Sequence, residues 1–285
     1  MKIKTKEGYI KTKRGKVYYK KLGDKGIPLI ILHGGPGGPH NYLEPLKDIA
    51  SKRTMIFYDQ IGCGKSDRLP NKKDWQVKTF VEELKEIIKK LNLKEYHLLG
   101  HSWGAALAVS FISTTPNGLR AIILADPYLS TPIWIKDAKK LIKKLSKKMQ
   151  KAINKGETDS PEYKSASDEY YKRFVRRMNP VPRAFKKPSK GFGKEIYQGM
   201  WGPKEFSVRG TLKEYDASKK LKSIRSPVLL VCGKYDEATP GALKIFHKLI
   251  PGAKIKIFQK SAHLPFWTER KEFMKVVQDF LKGVE

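Results

Sequence analysis

The clearest chemical signal in the chain is Gly100-His101-Ser102-Trp103-Gly104. An apolar run (Tyr96-His97-Leu98-Leu99) leads into it and a helix-like run (Ala105 to Ile112) follows it. G-x-S-x-G between a strand and a helix is the setting of a nucleophile elbow, where a sharp turn lifts a serine hydroxyl clear of the sheet. Glycines on both sides relieve clashes that a Cβ would make, and the helix start offers free N–H groups to developing negative charge. The serine needs a base within hydrogen-bond reach, and the base needs a third group to fix its tautomer. Among the six histidines, His33 and His101 belong to tight turns, His97 to a strand, His247 to a helix, and His40 follows a Gly-rich loop. His263 alone comes from a loop after the last strand, at the sheet edge that carries Ser102, and is the base. Two acids compete for the third place, Asp236 after the run Val228–Cys232 and Asp126 after the run Arg120–Ala125, with Asp59 a weaker third. Asp126-Pro127 reads as an exit into an insertion, so Asp236 is preferred.

These residues need a sheet to position them. Tyr9–Thr12 and Lys16–Lys21 read as an antiparallel hairpin around Arg14-Gly15. Leu29–Leu32 and Met55–Tyr58 are short continuous apolar runs, as expected of strands covered on both faces. The first runs into His33-Gly34-Gly35-Pro36-Gly37-Gly38-Pro39, whose glycines let backbone N–H groups approach a bound group closely. The oxyanion donors expected from this arrangement are the N–H groups of Gly35 and Trp103. The second ends in Asp59-Gln60-Ile61-Gly62-Cys63-Gly64-Lys65-Ser66, where Asp59 and Ser66 are read as braces for the neighbouring loops. Val81, Leu84, Ile88 and Leu91 mark an amphipathic helix before the elbow strand.

From about Pro127 to Ile224 the strand pattern stops. Ile135, Ala138, Leu141, Ile142, Leu145 and Met149 predict one long amphipathic helix, Tyr163 to Met178 a second, and Ile196 to Trp201 a short third. Pro180, Pro182 and Pro188 punctuate the stretch between the last two. Strands resume at Val228–Cys232 and Lys254–Phe258, and Phe273, Val276, Val277, Phe280 and Leu281 mark a final helix. The fold class is therefore α/β, an α/β-hydrolase fold with a mostly parallel central sheet flanked by helices. Residues 1–126 and 225–285 form the core domain, and residues 127–224 form a helical cap inserted after the sixth strand.

Composition narrows the function classes. The 285 residues carry 59 Lys+Arg against 28 Asp+Glu, a net charge of +31. The basic residues are scattered and no nucleic-acid-binding motif accompanies them, so a lysine-rich surface is preferred to a specific nucleic-acid partner. Two cysteines, Cys63 and Cys232, are too few for a disulfide framework and suit a reducing compartment. With no apolar run approaching the roughly 20 residues of a membrane span, no membrane association and a cytoplasmic location are expected.

Five motifs taken together resemble the proline iminopeptidases: His33-Gly34-Gly35-Pro36-Gly37, Asp59 through Ser66, Gly100 through Gly104, Gly233-Lys234-Tyr235-Asp236 and Ser261-Ala262-His263. The likeness runs nearly the whole chain, cap included, and is strongest to archaeal members, although those resemble G-S-S-Y-G where this chain has His101 and Trp103. The resemblance implies release of an N-terminal residue, often proline, from short peptides, without metal or cofactor. It implies that Glu205 and Glu237 hold the substrate's free α-amino group with Tyr197 nearby. It also implies a functional link to a larger protease complex. From the residues alone, Glu237 equally suits the N-terminus of the helix that follows it, and Glu205 plain cap surface. A carboxylesterase or amidase of the same fold, needing no free amine, is the competing enzyme reading. A non-catalytic binding protein is the reading outside enzymes.

Overall fold

A computed structural model of the chain describes residues 3–182, 185 and 190–285. Eight strands are present: β1 (Thr5–Thr12), β2 (Gly15–Leu22), β3 (Leu29–Leu32), β4 (Met55–Tyr58), β5 (Tyr96–His101), β6 (Leu119–Ala125), β7 (Val228–Gly233) and β8 (Lys254–Phe258). They form one sheet in the order β1-β2-β4-β3-β5-β6-β7-β8. The β1–β2 and β2–β4 pairs are antiparallel, and every pair from β4–β3 onward is parallel. The central strands are buried throughout, which explains why they read as unbroken apolar runs.

Alternation along each strand divides the core in two. Ile30, Leu32, Ile56, Tyr58, Leu98 and Ile122 pack on one face of the sheet, and Leu29, Ile31, Met55, Phe57, Leu99 and Ile123 on the other. The first face is covered by helices α1 (Val77–Lys90) and α2 (Trp103–Ile112). The second is covered by a 3-10 stretch over His40–Ser51, which the sequence reading did not anticipate, and by the C-terminal helix described below.

The cap holds α3 (Thr131–Ile142), α4 (Lys147–Lys155), α5 (Pro161–Phe174), α6 (Lys194–Met200) and α7 (Ser218–Leu221). The single long helix expected through Met149 is two, α3 and α4. Ser146 breaks it by accepting a hydrogen bond from Met149 N (3.3 Å), an N-cap that favours a new helix start over continuation. The apolar spacing survives the break because Leu141, Leu145 and Ile153 all enter one small cluster with Ala166, Tyr170 and Phe174. Helix α5 stops at Phe174, four residues short of the expected Met178. Pro188 lies outside the described residues. Tyr128, Trp134 and Trp201 meet edge to face, and all three enter the same core cluster as Leu32 and Trp103. After β7 come α8 (Pro240–Leu249), then α9 (Pro265–Thr268) and α10 (Arg270–Lys282) beyond β8. Among the described residues no helix is long and apolar enough to cross a membrane.

Candidate active site

The elbow is strained and held from several sides. Ser102 sits at φ 55, ψ −119, outside the ordinary regions for a non-glycine residue. Its N–H donates to Ala125 O (3.0 Å), and its carbonyl accepts from Ala105 N (2.9 Å) and Tyr128 N (3.3 Å). The flanking glycines are required: a Cβ on Gly100 would fall 2.3 Å from Gly104 O, and one on Gly104 would fall 2.0 Å from Leu32 O.

His263 follows β8 and reaches the same edge. Its Nδ1 lies 2.7 Å from Asp236 Oδ1, which also accepts from Ala238 N (2.9 Å). Ser102, Asp236 and His263 are all buried, with Ser102 and His263 on the wall of the cavity described below. The other candidate acid, Asp126, stands beside this pair rather than in it. One side-chain donor atom from each of Asp126, Asp236 and His263 lies within 4.8 Å of the others. Burial, reinforced by Asp236, pushes the Asp126 carboxyl well above the usual carboxylate range. The proton it keeps prevents two like charges from facing one another. Asp59 is elsewhere: it accepts from His40 N (2.9 Å), His40 Nδ1 (2.7 Å) and Lys65 N (2.9 Å), while Ser66 Oγ donates to its carbonyl (2.5 Å). Both act as the braces the sequence suggested.

The oxyanion loop is tied to the elbow by a chain that sequence reasoning missed. Gly34 N donates to Tyr42 Oη (2.7 Å), Tyr42 Oη lies 2.8 Å from His101 Nδ1, and His101 Nε2 lies 2.8 Å from His263 O. A carbonyl only accepts, so His101 carries its proton on Nε2 and accepts a hydrogen bond from the Tyr42 hydroxyl at Nδ1. Burial, with His263 beside it, holds His101 well below the usual histidine range, which keeps it neutral in this role. With Gly34 N–H engaged, the N–H groups of Gly35 and Trp103 are without an acceptor among the described residues. The Trp103 indole donates to Gln60 Oε1 (2.9 Å), locking the elbow to the loop after β4.

Ser102 and His263 open on a cavity of about 720 Å³ roofed by the cap, with Tyr171, Tyr197 and Glu205 on its wall. Tyr197 donates to Glu205 Oε1 (2.9 Å), and Trp134 Nε1 holds the Glu205 carbonyl (2.8 Å). Glu237 lies behind this wall. It is 2% exposed, neither carboxylate oxygen has a hydrogen-bond partner, and its N–H donates to Phe174 O (3.1 Å). Burial raises the Glu205 carboxyl, and burial together with Glu205 and Asp236 raises that of Glu237 well above its usual range. The N-terminus of α8 is capped by Thr239, which accepts from Ala242 N (3.1 Å), so Glu237 is not needed there.

Residues 27–270 match the family described as the alpha/beta hydrolase fold. A proline iminopeptidase of Heyndrickxia coagulans is 42% identical over 98% of this chain and 99% of its own length. The chain belongs to the proline iminopeptidase family. A proline iminopeptidase of Saccharolobus solfataricus is 35% identical over 99% of this chain and 94% of its own. The crystal structure of a proline iminopeptidase of Mycobacterium smegmatis superposes with a TM-score of 0.91 at 31% identity, covering 98% of each chain. Within that family frame, Tyr42 and His101 gave little sequence signal, since a tyrosine eight residues past a Gly-rich loop has no characteristic spacing.

Proposed function

We propose that the chain is a serine aminopeptidase that releases N-terminal residues, proline among them, from short peptides through an acyl-enzyme. The observation that carries the reading is a Ser102–His263–Asp236 constellation opening on a cavity beside two carboxyls, the half-buried Glu205 on its wall and the buried Glu237, that have no cationic hydrogen-bond partner among the described residues. Such a pair suits an ammonium group, and an N-terminal amine is the cation a peptide brings.

In this reading Ser102 Oγ attacks the first peptide carbonyl and its proton passes to His263 Nε2, while Asp236 holds the ring through Nδ1. The Gly35 and Trp103 N–H groups receive the oxyanion. His263 returns the proton to the departing amine, which breaks the C–N bond and leaves the ester on Ser102. Water, giving a proton to His263, then attacks the ester, and His263 returns that proton to Ser102 Oγ as the C–O bond breaks and the amino acid leaves. Glu205 on the cavity wall holds the amine, Glu237 behind it adds its charge, and Tyr197 orients Glu205.

The test compares proline and alanine 4-nitroanilides, each with a free and an N-acetylated amine, alongside a 4-nitrophenyl ester. Cleavage confined to free-amine anilides is expected. Ester hydrolysis without anilide hydrolysis would replace this reading with a carboxylesterase. Ser102→Ala should lower turnover by on the order of 10⁴-fold or more, and full activity in that variant would sink the mechanism.

A further inference from the structure

We infer that the cavity selects peptides bearing a carboxylate one or two residues beyond the scissile bond, held by Arg176, Lys204 and Lys194. This deepens the aminopeptidase reading and rests on it. Four side chains of formal charge at neutral pH line the cavity among the described residues: Glu205 and these three cations. The ion pairs among the described residues leave all three without a carboxylate within 4.0 Å.

Two of the three stand near Glu205 and the third beside the oxyanion loop. Arg176 stands just past the end of α5, and its guanidinium carbon lies 5.3 Å from the centre of the Tyr171 ring. Lys204 Nζ approaches the same ring at 5.8 Å. Tyr171 is on the cavity wall, so it gathers two cations toward one region of the space. Both act on the Glu205 carboxyl, lowering it against the larger effect of burial. Lys194 opens α6 beside the oxyanion loop, where Gly193 N donates to Gly37 O (2.8 Å).

An exopeptidase keeps a single residue on the amine side of Ser102, and the rest of the peptide extends past the scissile bond. In a dipeptide the leaving part ends at once in a carboxylate. In a long peptide the same place holds a neutral amide. Cations there, next to an acidic amine subsite, complement a short zwitterion with its charges a few bonds apart. They would also accept an Asp or Glu side chain just past the scissile bond, which presents the same chemistry. The cap adds to the field: residues 127–224 hold 25 Lys+Arg against 10 Asp+Glu.

The test measures kcat/KM for proline release from four peptides: Pro-Ala as free acid, Pro-Ala-amide, Pro-Glu-amide and Pro-Gln-amide. The acid-to-amide ratio for Pro-Ala is expected to be about tenfold, a typical factor for one charge-assisted contact. It should shrink toward unity as salt is raised, because the cations are partly exposed. In Arg176→Gln/Lys204→Gln, and further with Lys194→Gln, the ratio should fall to about twofold or less. Each ratio is taken within one variant, so a change in folding or turnover cancels. A Glu-to-Gln ratio that behaves the same way assigns the site to side-chain carboxylates as well as the terminal one. Ratios within about twofold of unity for both pairs in the unaltered enzyme would overturn the inference while leaving the aminopeptidase standing. A tenfold ratio that persists in the triple variant would do the same. If no proline is released from any peptide, the aminopeptidase reading fails and takes this one with it.

Discussion

Replacing Glu237 by Gln should make the free enzyme more stable and a worse catalyst. The Glu237 side chain is nearly inaccessible, both oxygens lack partners, and burial with Glu205 and Asp236 raises its carboxyl well above the usual range. A carboxyl whose folded pKa is raised contributes its full stability below the unfolded value of about 4.3, and that contribution is lost as pH rises toward the folded value. Glutamine has no such loss, so the gain should be small at pH 5 and grow toward pH 8. A gain of about 1 kcal/mol would raise Tm by about 2–4 °C in a chain near this size. On the proposed function the Glu237 carboxylate acts on the substrate's ammonium from behind Glu205, and removing one partner of a buried charge pair costs about 3 kcal/mol, on the order of 100-fold in kcat/KM. Thermal unfolding at pH 5 and 8, with kcat/KM on proline 4-nitroanilide, measures both sides. A variant that loses Tm at pH 8 while retaining kcat/KM would refute the reasoning and return Glu237 to a structural role.

Three further outcomes follow from the same physics. Because the raised Glu205 and Glu237 carboxyls must lose protons before they attract an ammonium, kcat/KM on free-amine anilides should show an acid limb above the ordinary carboxylate range. An ester lacking an amine should lack that limb, and identical profiles would contradict the assignment. Glu83, buried under the loop after β4, accepts from Ile61 N (2.8 Å) and is pushed up to about 8 by burial. The protein should therefore lose stability as pH rises from about 5 to about 8, by up to about 1.4 kcal/mol per pH unit. In Glu83→Gln the Tm difference between those pH values should shrink, and an unchanged difference would mean the titrating group lies elsewhere. Gly104→Ala would place a Cβ 2.0 Å from the Leu32 carbonyl in the centre of the sheet and should cost about 3 kcal/mol or more. A Tm within about 2 °C of the parent would show that the elbow can relax.

Legibility in the sequence followed the range of the interaction. The central strands could be read because burial on both faces forces continuous apolar runs, the first two because a hairpin turn separates them, and the elbow because its strained turn admits few residue types. Chain order leaves Asp126 and Asp236 both open, and Asp236 is preferred because Asp126-Pro127 reads as an exit into the insertion. The break at Ser146 was not legible, because the apolar spacing runs through it and only the capping hydroxyl marks the new start. The path from Gly34 through Tyr42 and His101 to the His263 carbonyl joins residues up to 162 positions apart and leaves no local pattern. Asp126 was weighed as a rival acid on position alone. The structure pairs His263 Nδ1 with Asp236 Oδ1 at 2.7 Å, a contact that no spacing records.

The charge of the chain is best understood from the same distinction. A net +31 would repel a peptide's amine if the global field decided binding. That field is carried mainly by exposed side chains and decays over a Debye length of about 8 Å at physiological salt. On the proposed function, Glu205 on the cavity wall and the buried Glu237 behind it attract the amine at short range, and burial makes their own ionisation costly until a cation arrives. On the same reading the exposed basic surface steers acidic peptides, while Glu205 and Glu237 select which end of the peptide enters. Raising salt should therefore weaken recognition of the carboxylate more than recognition of the amine. The Pro-Ala acid-to-amide ratio should fall between 0.05 and 0.5 M salt — concentrations spanning roughly a threefold change in Debye length — while the preference for a free over an acetylated amine holds. A parallel fall in both would mean that the amine, too, is held by screened surface charge.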